Sequence, residues 1–360
     1  NNTGKEVFQT VVFAPGEEVD PETLNLWSGF DLEPSSKGTC DRFLEYMREI
    51  VCAGDESNFK WLWNWCAHLF QNPNEKPGTV PVLRGPTGTG KSFFTDALRT
   101  IIGKRHSLKI SQRNQLVGRF NSHLANKLLV VAEEVTWGGN REMEATLRDF
   151  VTAPQLPVEG KGLDLYEVDS YHRLVIISNE RWVVHAQDNE RRYVILDISP
   201  ARQKDLKYFR ALDQELTHGG YERLMYLLMQ HPVNREMALT RHDTAGAHEQ
   251  QIHSLSPIDR WWFEVLDRGE IIRGQGWPRT IESSKLAAAF RMKYPKAAEY
   301  ELTHTFIKSL RERTSAAGLV LSRRRVHGSV HRMVLFRDLA FTRDAFAKSL
   351  GWNGFDDMVD

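Results

Sequence analysis

The stretch VPVLRGPTGTGKSFF, Val80–Phe94, constrains this chain more than any other. Within it, Gly85-Pro86-Thr87-Gly88-Thr89-Gly90-Lys91-Ser92 fits G-x-x-x-x-G-K-[ST], a loop that wraps nucleotide phosphates. That loop needs an apolar strand before it and a helix after it. VPVL supplies the first, and SFFTDALRTII, ended by Gly103, supplies the second. The glycines let backbone N–H groups turn inward, and the helix N-terminus adds partial positive charge. Lys91 can reach the β- and γ-phosphates, while the Ser92 hydroxyl can ligate Mg²⁺. ATP and Mg²⁺ are therefore the expected ligands. A Gly-rich turn that binds nothing is the bland alternative, and the strand–loop–helix context speaks against it.

Three further pieces follow at set distances. Forty-two residues after Lys91, the apolar run KLLVVAEEV ends in Glu133 and Glu134. Acids at a neighbouring strand tip can hold Mg²⁺, a role given to Glu133, and orient or deprotonate the attacking water. LVIISNERW ends a strand at Asn179, an amide suited to positioning that water. In DNERRYVILDI, Arg191 and Arg192 precede a strand, where a guanidinium can stabilise transition-state charge in a neighbouring subunit. Spacing does not say which of the two does so. Standing alone, these would read as solvated strand-end acids, a turn-forming Asn and a surface arginine pair.

The 360 residues suffice for two or three domains, and no repeat or low-complexity tract divides them. Residues 1–78 are Trp-rich and read as mostly helical, with Leu62, Trp65, Cys66 and Leu69 on one face. NPNEKPG marks a boundary. Residues 79–235 alternate short apolar strands (VPVL, LLVVA, LVIIS, YVILDI) with helices, an α/β pattern with a mostly parallel sheet. A polar linker is expected over 236–254. Cys40, Cys52 and Cys66 lack a CxxC pairing, which predicts reduced thiols. No membrane span or signal peptide is visible, so a cytoplasmic protein is expected. The opening NNTGKE lacks Met and suggests a segment of a longer chain.

Lys plus Arg equals Asp plus Glu at 47 each, so bulk charge excludes no partner. Distribution is more telling. Residues 255–360 hold 18 Lys or Arg against 13 Asp or Glu, and residues 305–337 hold 8 against 1. SSKLAAAFRMKY reads as a helix capped by Ser283 or Ser284. THTFIKSLRERTSAAG reads as a second helix ending at Gly318 and showing Lys308, Arg311 and Arg313. LVLSRRRVHGSVHRMVLF reads as a hairpin turning at His327-Gly328-Ser329, with Arg323, Arg324, Arg325 and Arg332 on its arms. Together these pieces predict a winged helix-turn-helix that contacts DNA. A docking domain with a solvated basic face is the alternative.

The ordered set from Gly85 to Arg192 resembles the superfamily 3 helicases of the AAA+ class. The phrases LNLWSGF, GRFNSHLANKLLVVAEE and DNERRY resemble phage and mobile-element primase–helicases related to the poxvirus-type enzyme. The resemblance covers most of residues 20–200. It implies a hairpin that grips single-stranded DNA in the ring's pore, and here Lys161 stands between Gly160 and Gly162 in the corresponding stretch. It also implies ATP-driven unwinding of forked DNA by a homo-oligomeric, hexameric ring with an N-terminal collar. A primase or polymerase in the same natural chain is a further implication. Two departures stand out. The acids are Glu-Glu where many P-loop enzymes use Asp-Glu, and the hairpin lacks an obvious Lys-His pair in the papillomavirus arrangement, His172 lying too near the next strand. A DNA-bound ATP switch for origin recognition or loading is the rival reading.

Overall fold

The computed structural model describes residues 8–134, 141–162, 164–180, 183, 192–244, 246, 252, 255–295, 303–314, 319–326, 329–350, 352 and 354–358. Two compact units divide the chain, the first running to Ala247 and the second, from His248, including residues 186–189.

The first unit opens with β1 (Thr10–Val12) and β2 (Thr23–Asn25), paired parallel. These two short strands stand beside the helices in residues 1–78, which the sequence reads as mostly helical. Helix α1 (Asp41–Tyr46) continues through a wide turn to Val51, and α2 spans Glu56–Gln71. Asp55 starts α2 by accepting hydrogen bonds from the amides of Ser57 and Asn58. Leu62, Trp65, Cys66 and Leu69 are all buried, as the helical spacing predicts.

Next come β3 (Val80–Arg84), α3 (Lys91–Ile102), β4 (Ser107–Ile110), α4 (Asn114–Val117) and β5 (Leu129–Glu133). They are followed by α5 (Arg141–Thr152), the antiparallel pair β6 (Gln155–Val158) and β7 (Tyr166–Asp169), then β8 (Arg173–Ser178) and β9 (Tyr193–Asp197). Five strands form one parallel sheet in the order β4-β5-β8-β3-β9, with β3 between β8 and β9. Leu129, Val131, Val175 and Ile177 face a core shared with α2 and α3, whereas Val130, Ala132, Leu174 and Ile176 face Leu147 and Phe150 of α5. Covering both faces explains the continuous apolar runs. Each such aliphatic side chain contributes about 1.5–3 kcal/mol on burial.

Helices α6 (Leu206–Glu215), α7 (Tyr221–Gln230) and α8 (Arg235–Leu239) complete the unit. Part of residues 236–244, expected within a linker, is held to this unit through its backbone, and Ala238 and Thr244 are buried. The Trp61 indole donates to the carbonyls of Met237 and Thr240, and Thr79 donates to that of Ala238. Cys40, Cys52 and Cys66 are free and buried, and burial raises all three thiol pKa values.

The second unit contains α9 (Pro257–Arg268), β10 (Thr280–Glu282), α10 (Ser283–Lys293), α11 (Thr303–Arg313), β11 (Leu319–Val326), β12 (Ser329–Phe336) and α12 (Leu339–Ser349). Its antiparallel sheet has the order β10-β12-β11. Strand β10 leads straight into α10, so Ser283 is the helix's first residue and Glu282 precedes it without a side-chain cap. Neither serine is the N-cap. Helix α11 ends at Arg313, short of Gly318, which lies outside the described residues with His327 and Gly328. Among the described residues no helix is long and apolar enough to cross a membrane.

Candidate functional site

The Gly85–Ser92 loop joins the C-terminal end of β3 to the first turn of α3. Gly90 precedes the helix with a left-handed φ of 97°, and a Cβ there would lie 2.6 Å from the Phe209 ring. Backbone conformation and packing thus both require glycine. No side chain caps the first turn of α3, where Phe93 N–H bonds Gly90 O at 2.8 Å, and the end of the helix dipole there suits an anion. Residues far away in sequence brace the loop. Tyr46 Oη donates to Gly90 O at 2.7 Å, Lys204 N to Gly88 O at 2.8 Å and Gln203 Nε2 to Thr87 O at 2.9 Å. At its base, Arg84 forms a two-point ion pair with Asp197, at 2.6 and 2.8 Å.

Lys91, Glu133, Glu134 and Asn179 meet beside this loop. Lys91 Nζ lies 2.5 Å from Gly85 O, 2.8 Å from Pro86 O and 2.8 Å from Asn179 Oδ1. The other side of that amide, Asn179 Nδ2, donates to Glu134 Oε1. Asn179 therefore bridges the lysine to the second acid. Burial lowers the Lys91 pKa, with Glu134 and then Glu133 opposing the shift. Ser92 Oγ donates to Glu133 Oε1 at 2.7 Å. Glu134 has a φ of 53°, uncommon for a residue with a side chain, and its N–H bonds Ile177 O at 2.8 Å. Such strain, held by a hydrogen bond to the neighbouring strand, is often found at functional sites.

Lys109 and Asp96 join this cluster without having been read from the sequence. Lys109 Nζ is 2.7 Å from Glu133 Oε1 and 3.9 Å from Asp96 Oδ2. Strand β4 is four residues long and only its ends are fully buried, so it gives almost no strand signal.

The remaining predicted residues fall apart into separate places. Arg192 is buried, with its guanidinium 5.5 Å from the Tyr193 ring centroid and its carbonyl accepting from Val80 N. Arg191 lies outside the described residues. Lys161 is exposed in the turn between β6 and β7. That hairpin is tied to residues 119–121, where Arg119 pairs with Glu159 and Asn121 bonds Pro157 and Glu159.

In the second unit, Lys308 and Arg311 are exposed on α11, and Arg323, Arg324, Arg325 and Arg332 are exposed on the hairpin. Cross-strand register places Arg323 opposite Arg332 on the same face. Arg313 differs from the expectation of a DNA-facing residue. It pairs with Asp259 of α9 and donates to Ser309 O at 3.0 Å, which ties two helices together.

The architecture is thus a mixed α/β chain built on a parallel sheet. Residues 83–192 match a family described as one of unknown function, DUF5906. The DNA primase-polymerase of Nitratiruptor phage NrS-1 is 29% identical over 167 residues, which are 46% of this chain and 23% of that protein. The chain thus matches about a quarter of that relative's length. The apo structure of the NrS-1 C-terminal region (305–718) has a TM-score of 0.67 at 18% identity, covering 91% of this chain and 84% of that one. An A form apo structure of the same region gives 0.68 at 18% identity, with 91% and 85% covered. These structural likenesses establish a shared fold.

Proposed function

We propose that this chain is the motor of a phage or mobile-element replication helicase, an ATP-driven DNA unwinding enzyme of the superfamily 3 AAA+ type. The observation that carries this reading is the convergence on one loop: Lys91 on Asn179, Asn179 on Glu134, and Ser92 on Glu133. Similarity to a phage DNA primase-polymerase supports the replication setting.

In this reading the loop from Gly85 to Ser92 binds ATP, and Lys91 turns from Gly85 O and Pro86 O to the β- and γ-phosphates. Ser92 and Glu133 offer two adjacent hard oxygen donors, a set that suits Mg²⁺. Among the described residues no cluster of three or more His, Cys, Asp or Glu could hold a metal alone, so phosphate oxygens would complete the shell. Bound Mg²⁺ would neutralise charge on the β- and γ-phosphates. Glu134 takes a proton from the attacking water, and Asn179 fixes the orientation of that carboxylate.

The chains form a ring, hexameric in this reading, with ATP at the subunit boundary. Burial of Arg192 favours Arg191 as the residue that reaches a neighbour's nucleotide. Lys161 touches the single-stranded phosphate backbone, and Tyr166 of the same hairpin and Phe120 of the segment tied to it, 45% and 51% exposed, offer stacking surfaces. We read the second unit as a winged helix-turn-helix that meets duplex DNA at the fork through Lys308, Arg311 and the arginines of β11 and β12. A primase or polymerase activity in the same natural chain belongs to this proposal too.

Strand displacement on a forked duplex tests the reading. Wild type should unwind, Lys91→Ala should lose hydrolysis by about 10²-fold or more, and Lys161→Ala should hydrolyse ATP but unwind poorly. ATP hydrolysis without displacement under ring-forming conditions would overturn the motor reading in favour of an ATP switch.

A further inference from the structure

Glu133 Oε1 accepts two hydrogen bonds at once, from the Ser92 hydroxyl and the Lys109 ammonium, each at 2.7 Å. Lys109 stands on β4, whose Lys109 pairs with Val131 of β5, and its side chain is 31% exposed. A second carboxylate lies within its reach, Asp96 Oδ2 of α3 at 3.9 Å. The other Asp96 oxygen is held by Arg99 at 2.9 Å, so Asp96 stays in place for an approaching cation. One ammonium therefore sits between two anchored carboxylates and is bound by the one beside the phosphate loop.

We propose that Lys109 is a built-in cation that blocks the metal position of Glu133 and admits a divalent ion only together with nucleotide phosphates. The proposal deepens the ATP·Mg²⁺ reading of this site and rests on it. A divalent ion arriving alone meets a carboxylate whose charge is already compensated, and it is repelled by the ammonium. A divalent ion arriving with a polyphosphate brings its own anions, and Lys109 turns to Asp96. The device would keep the empty site from loading metal and would couple metal entry to nucleotide entry. Ordinary sheet-edge pairing would give the same distances but no such selectivity, and metal binding separates the two.

The experiment measures Mn²⁺ binding to the full chain without nucleotide, read by the loss of free-Mn²⁺ electron paramagnetic resonance signal. Lys109→Met should bind Mn²⁺ about tenfold more tightly than wild type, a change of about 1.4 kcal/mol. Lys109→Arg should stay near wild type, and Lys109→Met with Glu133→Gln should lose the gain. Lys109→Gln serves in place of Lys109→Met if the latter melts early. Equal Mn²⁺ affinity in wild type and the neutral variants would overturn the proposal, as would a gain that survives Glu133→Gln. With ATP present the difference should shrink below about threefold, and a persistent tenfold gap would overturn the nucleotide coupling. A fluorescent ATP analogue, titrated without metal, tests the underlying reading separately. Failure of wild type to bind it would remove the ATP reading, whereas the Mn²⁺ comparison still reports on the Lys109 block.

Discussion

Two hairpins of this molecule are anchored by opposite chemistry. The β6–β7 hairpin, with Lys161 at its turn, has only four residues per strand, too few to stand alone. Polar groups grip its base. Lys76 Nζ donates to Ala153 O at 2.9 Å, just before β6, and to Ser170 Oγ at 2.6 Å, just after β7. Ser170 in turn bonds His172 Nδ1 at 2.8 Å, and His172 Nε2 bonds Leu124 O at 2.8 Å. A carbonyl only accepts, so Nε2 carries the proton and Nδ1 accepts from Ser170. The β11–β12 hairpin has eight residues per strand and an apolar base, where Leu319, Val334 and Phe336 pack beneath Trp262 and Trp277, and β10 adds a third strand. Apolar anchoring is indifferent to pH and fails by cavity formation. The polar anchor is directional and fails when a proton or a partner is misplaced.

The largest effect that would sharpen this contrast is at the apolar base. Phe336→Ala should destabilise the second unit by about 3–5 kcal/mol with little pH dependence, measured by chemical denaturation. The next is at the polar base. Burial lowers the His172 pKa from 6.5 to about 4 and that of Lys76 from 10.5 to about 7. Each folded pKa lies below its unfolded value, so the unfolded chain binds more protons and stability rises with pH. For His172, stability is complete above pH 6.5 and falls as pH drops toward 4, by about 3 kcal/mol in total. His172→Gln should flatten the melting-temperature profile across that window, and an unchanged slope would break the comparison.

Ser170→Ala is expected to cost about 1–3 kcal/mol, since it strips Lys76 of an acceptor and His172 of a donor. At exposed basic side chains the effects on folding should be smallest. Lys161→Ala and Arg323→Ala should each change stability by less than about 0.5 kcal/mol. If these side chains meet DNA phosphates, each should lower the salt dependence of binding by about one counterion, read from log Kd against log salt.

The strand-tip residues were legible because an apolar strand announces its own end. Val80–Leu83, Leu129–Ala132 and Leu174–Ile177 are buried on both faces, so their runs are unbroken and Glu133 and Asn179 stand out at their ends. Helix α2 was legible by its one-sided spacing. Strand β4 was not, because only Ser107 and Ile110 are fully buried, and Lys109 was hidden with it. Arg313 carried a misleading signal. In a basic run it looks like its neighbours, yet its place on α11 turns it toward Asp259.

By itself the sequence determined the Gly-rich loop between an apolar strand and a helix, the parallel α/β core and the set of polar residues that could meet there. These follow from local rules, since glycine placement and side-chain periodicity act over a few residues. Only the tertiary structure decided which groups touch. The order β4-β5-β8-β3-β9 brings Lys109 to Glu133, the return of the chain after β9 lays Gln203 and Lys204 on the loop, and packing buries Arg192. Hydrogen bonds and ion pairs act over about 3–4 Å, and residues far apart in sequence come within that range only through the arrangement of the strands.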